Sequence, residues 1–371
     1  MRSAWCDINL GAIERNARAL AERAGAPLLP IVKANAYGHG VGPVVERLAT
    51  LPAVWGVGVV LVAEATRLRE LGYDGRIVIP GGLIPEQAAE ALDSGAIIAL
   101  SDREVARALD REARRRGTRA PVHLKVDIGM HRLGFPFAEA EEAAGEVASL
   151  PGLRLEGVLT HLAAAHCGDE VSRERTRSEV ERFTALVSRL GARHGPLIAH
   201  AANSSAVMAA GDATFDLARP GLAVYGWKPA AWLPDLPPLE PALAVRTRVV
   251  VEKTTVPGAS VGYSQTPLGA GRRLGVLPIG YADGIPAAWG LAGGCVLFAG
   301  GRAPLVGSVS MDSCVVDLTD LPAEGVGSIA LVMGEGEEGR LDPHDLAAAT
   351  GRSIYELLVA LNGRLPRRHH G

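Results

Sequence analysis

Two lysines stand at positions in apolar segments where lysine is ordinarily disfavoured. Lysine occurs only at positions 33, 125, 228 and 253, and arginine supplies the rest of the 38 basic side chains. Lys33 follows the apolar run LLPIV, and Lys125 lies within PVHLKV. A buried lysine can lose its proton and act as a nucleophilic amine, whereas arginine keeps its proton. The pattern indicates Schiff-base chemistry at Lys33, the alternative being a side chain that reaches solvent from a strand end.

Other polar side chains also follow apolar runs. His161 comes directly after LEGVLT, Asn203 follows PLIAHAA, and Arg219 precedes the turn-forming pair Pro220–Gly221. In parallel barrels, the groups that do chemistry lie where strands end and loops begin. If these runs are strands, we expect these side chains to lie at one end of one sheet.

The elements that would carry these residues alternate regularly. Apolar runs recur, separated by Ala-, Leu-, Arg- and Glu-rich segments with helical spacing: 28–32, 54–60, 76–80, 96–100, 121–126, 155–161, 196–201 and 221–226. Eight such repeats predict an α/β fold with an N-terminal (β/α)8 barrel, with an open doubly wound sheet as the alternative. Ser101 and Glu104 predict a capping box at the start of one helix.

The pattern changes after a proline-rich segment at 228–243. Short runs that alternate with period two, separated by glycine turns, then predict a mostly β domain. We therefore divide the chain into a barrel at 1–235 and a C-terminal β-rich domain at 236–371. A last helix is predicted at 343–361, followed by a solvated basic tail.

Composition excludes several classes of protein. The net charge of −3 argues against a nucleic-acid or membrane-surface partner, and no apolar run approaches the roughly 20 residues of a membrane span. The first residues lack a signal-peptide pattern, and the four scattered cysteines suit a reducing compartment, so we expect a cytoplasmic protein. His161 and His166 are spaced poorly for a shared metal, and no metal is expected.

A series of motifs resembles one known family. VKANAYGHG at 32–40 resembles the pyridoxal-phosphate lysine motif of alanine racemases. Further segments resemble that family in the same order along the chain: KVDIGMHRLG, TH, AANSSA, RPGLAVYG, VGYSQT, GYADG and SMD. The matches extend from residue 32 to 312, and the family's fold, a barrel followed by a β domain, agrees with the architecture predicted above.

The resemblance implies two acid–base residues. Lys33 would bind pyridoxal 5'-phosphate covalently and exchange a proton with one face of the substrate Cα. Tyr263 would serve the opposite face, with His161 supporting the tyrosine. In the resembling enzymes this tyrosine comes from the partner subunit, which implies a homodimer whose sites the partner's C-terminal domain completes.

The resemblance also implies the other cofactor contacts. Arg219 would face the pyridine nitrogen, where many pyridoxal-phosphate enzymes place a carboxylate. Ser204, Gly221 and Leu222 match the family's phosphate contacts, Tyr37 and Tyr355 would add hydroxyl partners, and Asn203 would also contact the cofactor. For Tyr355, packing on a helix face is an equally open interpretation.

At the substrate end, Arg132 would contact the carboxylate, and Met311 and Tyr281 would line the approach. Lys125 matches a lysine that is often carbamylated in the family and that orients the arginine. An ion pair between Lys125 and Asp127 or another carboxylate is an equally open interpretation.

The predicted function is racemisation of alanine, supplying D-alanine for peptidoglycan. Ile285, Ser310 and Ser264 depart from the family pattern near the substrate end, so racemases acting on serine or basic amino acids remain alternatives. A decarboxylase of the same fold and a non-catalytic pyridoxal-phosphate carrier are competing hypotheses. The C-terminal domain and Tyr263 argue against the carrier.

Overall fold

The computed structural model describes residues 2–209, 213–235 and 237–371. These residues form two compact units. The barrel unit comprises Ala12–Ala36 and Val41–Glu240, and the second unit comprises residues 2–11, Tyr37–Gly40 and Pro241–Gly371. The domain boundary predicted between residues 235 and 236 falls at Leu236, outside the described residues, and remains a prediction.

The barrel unit is built on parallel strands that follow one another in sequence order. They are Val57–Gly58, Ile77–Ile79, Ile97–Leu100, Ala120–Asp127, Leu153–Leu159 and Ile198–His200. All residues of Ile77–Ile79 and of Ile97–Leu100 are buried. Burial of whole strands is typical of a parallel sheet covered by helices, and it explains why these runs are apolar throughout.

Two shorter segments close this sheet into a barrel. The Leu29 N–H donates to the Ala218 carbonyl at 2.7 Å, and the Gly58 N–H donates to the Pro30 carbonyl at 2.8 Å. On the other side, the Asp216 N–H donates to the Ala199 carbonyl at 2.9 Å. Residues 28–31 and 216–219 therefore bring the parallel segments among the described residues to eight, and the predicted barrel is confirmed.

The prediction of a strand at 221–226 is wrong. Leu222–Tyr225 is a 3-10 helix whose four residues are all buried. The Ser204 hydroxyl oxygen accepts hydrogen bonds from the N–H groups of Gly221 at 2.8 Å and Ala223 at 3.3 Å, which turns the chain away from the sheet. The apolar residues of this segment indicate that it is buried, but a buried helical turn and a buried strand give the same apolar pattern.

Helices alternate with the strands. Their bounds are Leu10–Ala24, Val41–Ala49, Val62–Glu70, Ala88–Asp93, Arg103–Arg115, Ala140–Ser149, Glu170–His194 and Ser204–Ala209. The capping box predicted at Ser101 is wrong by one residue. Asp102 caps the helix, because its carboxylate accepts from the N–H groups of Glu104 at 2.8 Å and Val105 at 3.0 Å.

The second unit is mostly β-structure, as predicted. Its main sheet has the order Gly301–Pro304, Cys295–Phe298, Ile329–Gly336, Leu243–Arg248, Ala4–Asn9 and Arg367–His370, with Gly339–Leu341 paired to Ile329–Gly336. A three-stranded sheet joins Val251–Thr254, Arg273–Leu277 and Cys314–Asp317, and a hairpin joins Ser260–Val261 and Thr266–Pro267.

Two predictions about the end of the chain are corrected. The helix predicted at 343–361 is two helices, Pro343–Thr350 and Ile354–Ala360, because Gly351 has a φ of +65° and ends the first one. The basic tail is not a free terminus: Arg367–His370 pairs in parallel with Cys6–Asn9. Backbone pairing across the whole length of the sequence carries no local signal.

Within the part of the chain that the structure describes, no helix combines the length and apolarity needed to cross a membrane.

Candidate active site

Lys33 lies at the carboxyl end of the first barrel segment and begins an unusual turn. The next four residues, Ala34, Asn35, Ala36 and Tyr37, all have φ between +51° and +55°. For L-residues this left-handed conformation costs roughly 1–2 kcal/mol each, and it is rare in consecutive residues other than glycine. The surrounding structure must therefore hold this turn in place.

The amine of Lys33 is tuned toward its neutral form. Burial lowers the pKa of Lys33, and the positive charge of Arg132 lowers it further, against the opposing effect of Glu64. A larger neutral fraction makes the amine a better nucleophile and a better base at neutral pH. The environment therefore supports the predicted amine chemistry.

Lys125 lies on the strand Ala120–Asp127 and is 5% exposed. Its Nζ donates to the Pro80 carbonyl at 2.6 Å. Burial, followed by the positive charges of Arg219 and Arg132, lowers the pKa of Lys125 to about 8. Among the described residues it forms no ion pair with Asp127 or with another carboxylate, so the ion-pair interpretation is not supported.

Arg132 lies in a loop that turns sharply after this strand. One carboxylate oxygen of Asp127 accepts from the N–H groups of Gly129 at 2.9 Å, Met130 at 3.0 Å and His131 at 3.1 Å. The Arg132 guanidinium is exposed and forms no hydrogen bond with another described residue. It also lines one small cavity together with Lys125 and His161. Its charge is thus available to an anionic ligand.

Arg219 is 5% exposed, and hydrogen bonds to neighbouring barrel residues hold its guanidinium in place. Its Nη1 donates to Nδ1 of His200 at 3.1 Å, and its Nη2 donates to the carbonyls of Thr160 at 2.5 Å and Ala201 at 3.1 Å. Burial lowers the pKa of Arg219 to about 10, which still leaves it charged at neutral pH. Its Nε forms no hydrogen bond with any described residue and remains available to a ligand.

A second histidine extends this arrangement. Because arginine only donates, His200 must accept at Nδ1 and carry its proton on Nε2. That proton is donated to Nδ1 of His123, 2.8 Å away. Burial and the Arg219 charge lower the pKa of His123 to about 4 and that of His200 well below its ordinary value. Both rings are therefore neutral supports of the arginine.

His161 follows the strand Leu153–Leu159 and faces the same charges. Burial, then Arg219, Arg132, Lys125 and Lys33, lower its pKa to about 3. His161 is consequently neutral at physiological pH. A neutral ring can accept or donate one hydrogen bond, which is what support of a tyrosine hydroxyl requires.

The predicted phosphate-binding segments meet within the barrel unit. Ser204 opens the helix Ser204–Ala209, and its hydroxyl binds the backbone of Gly221 and Ala223, next to Leu222. Asn203 caps this helix, because its side-chain oxygen accepts from the Ala206 N–H at 3.1 Å. Segments that are 17 positions apart therefore form one polar turn at the carboxyl end of the barrel.

In the second unit, Tyr37 and Tyr355 form a pair. Their ring centroids are 6.2 Å apart, and the rings are tilted by 53°. Tyr37 is 7% exposed, and burial followed by the neighbouring Tyr355 raises its pKa; burial also raises the pKa of Tyr355. Both hydroxyls are therefore protonated at neutral pH and able to donate to an anion.

Tyr263 lies at the turn of the hairpin between Ser260–Val261 and Thr266–Pro267, and it is 92% exposed. Tyr281 and Met311 lie on adjoining turns, since the Tyr281 N–H donates to the Ser310 carbonyl at 3.0 Å and the Ala282 N–H donates to the Met311 carbonyl at 3.0 Å. Their side chains are 46% and 52% exposed. Three motifs of the second unit thus present large side chains to solvent.

Comparison with known proteins identifies the relatives of this chain. The family model described as the alanine racemase N-terminal domain matches residues 8–229, and the model of the C-terminal domain matches residues 242–369. The alanine racemase of Symbiobacterium thermophilum is 39% identical over 375 residues, which cover 100% of this chain and 98% of that relative. The chain belongs to the alanine racemase family.

Further relatives and solved structures agree with this membership. The alanine racemase of Geobacter sulfurreducens is 36% identical over 348 residues, covering 92% of this chain and 90% of that relative. The crystal structure of the biosynthetic alanine racemase from Pseudomonas aeruginosa matches with a TM-score of 0.86 at 33% identity and covers 100% of both chains. The family resemblance predicted from the sequence motifs is confirmed, as is the barrel with its mostly β second part.

Three polar residues of this site were not predicted from the sequence. His123 lies two positions before Lys125 in PVHLKV, so strand alternation places both on the same face and could have revealed it. His200 ends the apolar run PLIAHA, which is a similar signal. Glu64 gives no signal, because it resembles any acid in the first turn of a surface helix.

Proposed function

We propose that this chain is a pyridoxal-phosphate-dependent racemase that interconverts L- and D-alanine. Membership of the alanine racemase family supports the reaction, and one feature of the barrel supports the chemistry. Lys33, whose pKa is lowered by burial and by Arg132, is one of four cationic side chains, with Arg132, Arg219 and Lys125, that together lower the pKa of His161. That combination suits a nucleophilic amine beside an anionic ligand.

The side chains present fit pyridoxal phosphate. Lys33 would hold it covalently, and the Nε of Arg219, which has no hydrogen-bond partner among the described residues, would donate to the ring nitrogen. Ser204, Gly221 and Leu222, with the hydroxyls of Tyr37 and Tyr355 and with Asn203, would hold the phosphate end. When bound, pyridoxal phosphate supplies an electron sink that acidifies the Cα hydrogen of an amino acid.

Arg219 would limit side reactions. With a pKa of about 10, it donates a hydrogen bond and does not transfer its proton at neutral pH. The fixed tautomers of His200 and His123 hold it in that role. Because no proton is transferred to the ring nitrogen at this position, rapid return of a proton to Cα is favoured over side reactions such as transamination.

Two groups would then move protons at the substrate Cα. Racemisation removes a proton from one face and delivers one to the other, so Lys33 and Tyr263 would serve opposite faces. His161, neutral because its pKa is about 3, would support the tyrosine hydroxyl. Arg132 would bind the substrate carboxylate, and Met311 and Tyr281 would line its approach.

We also propose a homodimer in which Tyr263 acts in the partner's site. Exposure of 92% at the tip of a hairpin is unusual for a tyrosine and suits a contact with a second copy of the chain. The D-alanine formed would be supplied to peptidoglycan synthesis in the cytoplasm.

The decisive test is a racemisation assay on a panel of L-amino acids with added pyridoxal phosphate. We expect alanine to be turned over fastest. Faster turnover of serine or lysine would contradict the alanine assignment. Cofactor binding with no exchange of the alanine Cα hydrogen into heavy water would indicate a carrier protein instead.

We propose that Lys125 reacts with carbon dioxide: its neutral amine nitrogen bonds to the carbon, one C=O π bond opens to give the carboxylate, and one N–H proton is released to solvent. A carbamate forms only from the neutral amine, and a pKa of about 8 makes that form about a tenth of the total at pH 7 and about half at pH 8. We expect the carbon-13 carbamate signal obtained with labelled bicarbonate to grow between about pH 6.5 and pH 8. It should vanish in Lys125→Arg and persist in Lys228→Arg, and a signal that survives Lys125→Arg would contradict the assignment.

A further inference from the structure

The left-handed turn that follows Lys33 is held by a side chain from another part of the barrel. Four residues in this conformation would not persist alone, since none of them is glycine. Local contacts contribute, among them these two: the Val41 N–H donates to the Asn35 side-chain oxygen at 2.8 Å, and the Ala36 N–H donates to the Val32 carbonyl at 2.9 Å. Neither contact connects the turn to a neighbouring strand.

Glu64 makes that connection. Its Oε1 accepts from the N–H of Ala34 at 2.6 Å, and its Oε2 accepts from the N–H groups of Val60 at 2.9 Å and Leu61 at 3.1 Å. Val60 and Leu61 follow the neighbouring strand Val57–Gly58 and precede the helix Val62–Glu70. One carboxylate thus ties the residue after Lys33 to the end of the next strand, using both oxygens.

The chemistry of these bonds makes a carboxylate specifically suited. Three N–H donors converge on two oxygens, and a carboxylate offers only acceptors. An amide at this position would turn an NH2 group toward at least one of those donors. Hydrogen bonds to a charged acceptor are also roughly twice as strong as neutral ones.

We propose that Glu64 is a positioning residue of the active site, which fixes the left-handed turn and thereby the direction from which Lys33 enters the site. This inference rests on the proposed function for the role of Lys33. The turn that Glu64 holds exists whatever the ligand is.

The first test is hydrogen exchange and cofactor attachment in the full chain. Glu64→Gln should speed amide exchange in the peptides that contain residues 33–37 and 60–61 by about tenfold. It should slow the covalent attachment of added pyridoxal phosphate, followed by absorbance, by about the same factor. Glu104→Gln is a matched control, because Glu104 is also an acid in the first turn of a barrel helix and, among the described residues, its side chain bonds only Arg107.

The second test separates position from charge. Glu64→Asp keeps the charge but cannot reach both segments, so its defect should be intermediate. Adding Ala34→Gly to Glu64→Gln should restore about half of the lost attachment rate on a logarithmic scale, because glycine adopts positive φ without penalty and Ala34 is exposed. Rescue of this kind is not expected if Glu64 acts by charge alone.

The proposal is overturned if the Glu64→Gln variant has the same amide exchange rates and the same rate of cofactor attachment as the unsubstituted chain. It is also overturned if Glu64→Asp attaches the cofactor at the unsubstituted rate, or if adding Ala34→Gly to Glu64→Gln restores none of the lost attachment rate. A chain that takes up no pyridoxal phosphate at all would contradict the proposed function. The exchange measurement would still decide whether Glu64 holds the turn.

Discussion

We expect Lys33→Ala to lower alanine racemisation by at least about 10⁴-fold and to remove the visible absorbance of bound pyridoxal phosphate. Two losses combine in this one change: the covalent attachment point and one of two acid–base groups. Arginine neighbours cannot substitute, because they do not provide a neutral amine at neutral pH. Absorbance spectra, borohydride reduction followed by peptide mass analysis, and a racemisation assay measure the three consequences.

Lys253→Ala is the matched control, since Lys253 is exposed on a strand of the second unit and is expected to leave both colour and activity unchanged. Thermal unfolding of both variants would separate loss of the amine from loss of the fold. Cofactor still trapped on the protein by borohydride in Lys33→Ala would remove the covalent role from this residue.

Tyr263→Phe is expected to keep the cofactor and to lower racemisation by about 10²- to 10⁴-fold. Because the hydroxyl would serve one face only under the proposed mechanism, the effect on proton removal should be unequal. L-alanine should lose most of its Cα-hydrogen exchange into heavy water, while D-alanine should keep exchanging through Lys33. Proton NMR of each isomer in heavy water measures the two rates separately.

The control for this change is Tyr73→Phe, which removes a hydroxyl that donates to the Arg76 carbonyl in the barrel unit at 3.3 Å. Equal and mild losses for both isomers in Tyr263→Phe would exclude the tyrosine from the two-base scheme.

Mixing the two inactive variants tests whether the site is shared between subunits. A dimer of one Lys33→Ala chain and one Tyr263→Phe chain contains one complete site only if the tyrosine acts across the interface. Random exchange of subunits should then restore about a quarter of the unsubstituted activity. No recovery, despite demonstrated subunit exchange, would place both groups in one chain.

Much of the barrel was predictable because its signals are local. Buried parallel strands are apolar along their whole length, so they are visible in the sequence as apolar runs. Every predicted run before residue 202 overlaps a barrel segment. The failure at 221–226 has a definite cause: burial is visible in the sequence, but the hydrogen bonds from Gly221 and Ala223 to Ser204 are not. The tail at 367–370 failed for the same reason, since its partner strand Ala4–Asn9 lies at the opposite end of the chain.

The sequence by itself indicated that a lysine amine lies at the end of a strand, because lysine is otherwise disfavoured in an apolar run of an arginine-rich chain. It also determined the family, through motifs in a fixed order. Only the tertiary structure revealed the chain of Arg219, His200 and His123, because their contacts join three different strands. Only the tertiary structure revealed the left-handed turn after Lys33, since alanine gives no local sign of positive φ and Glu64, which holds it, lies 30 residues from Ala34.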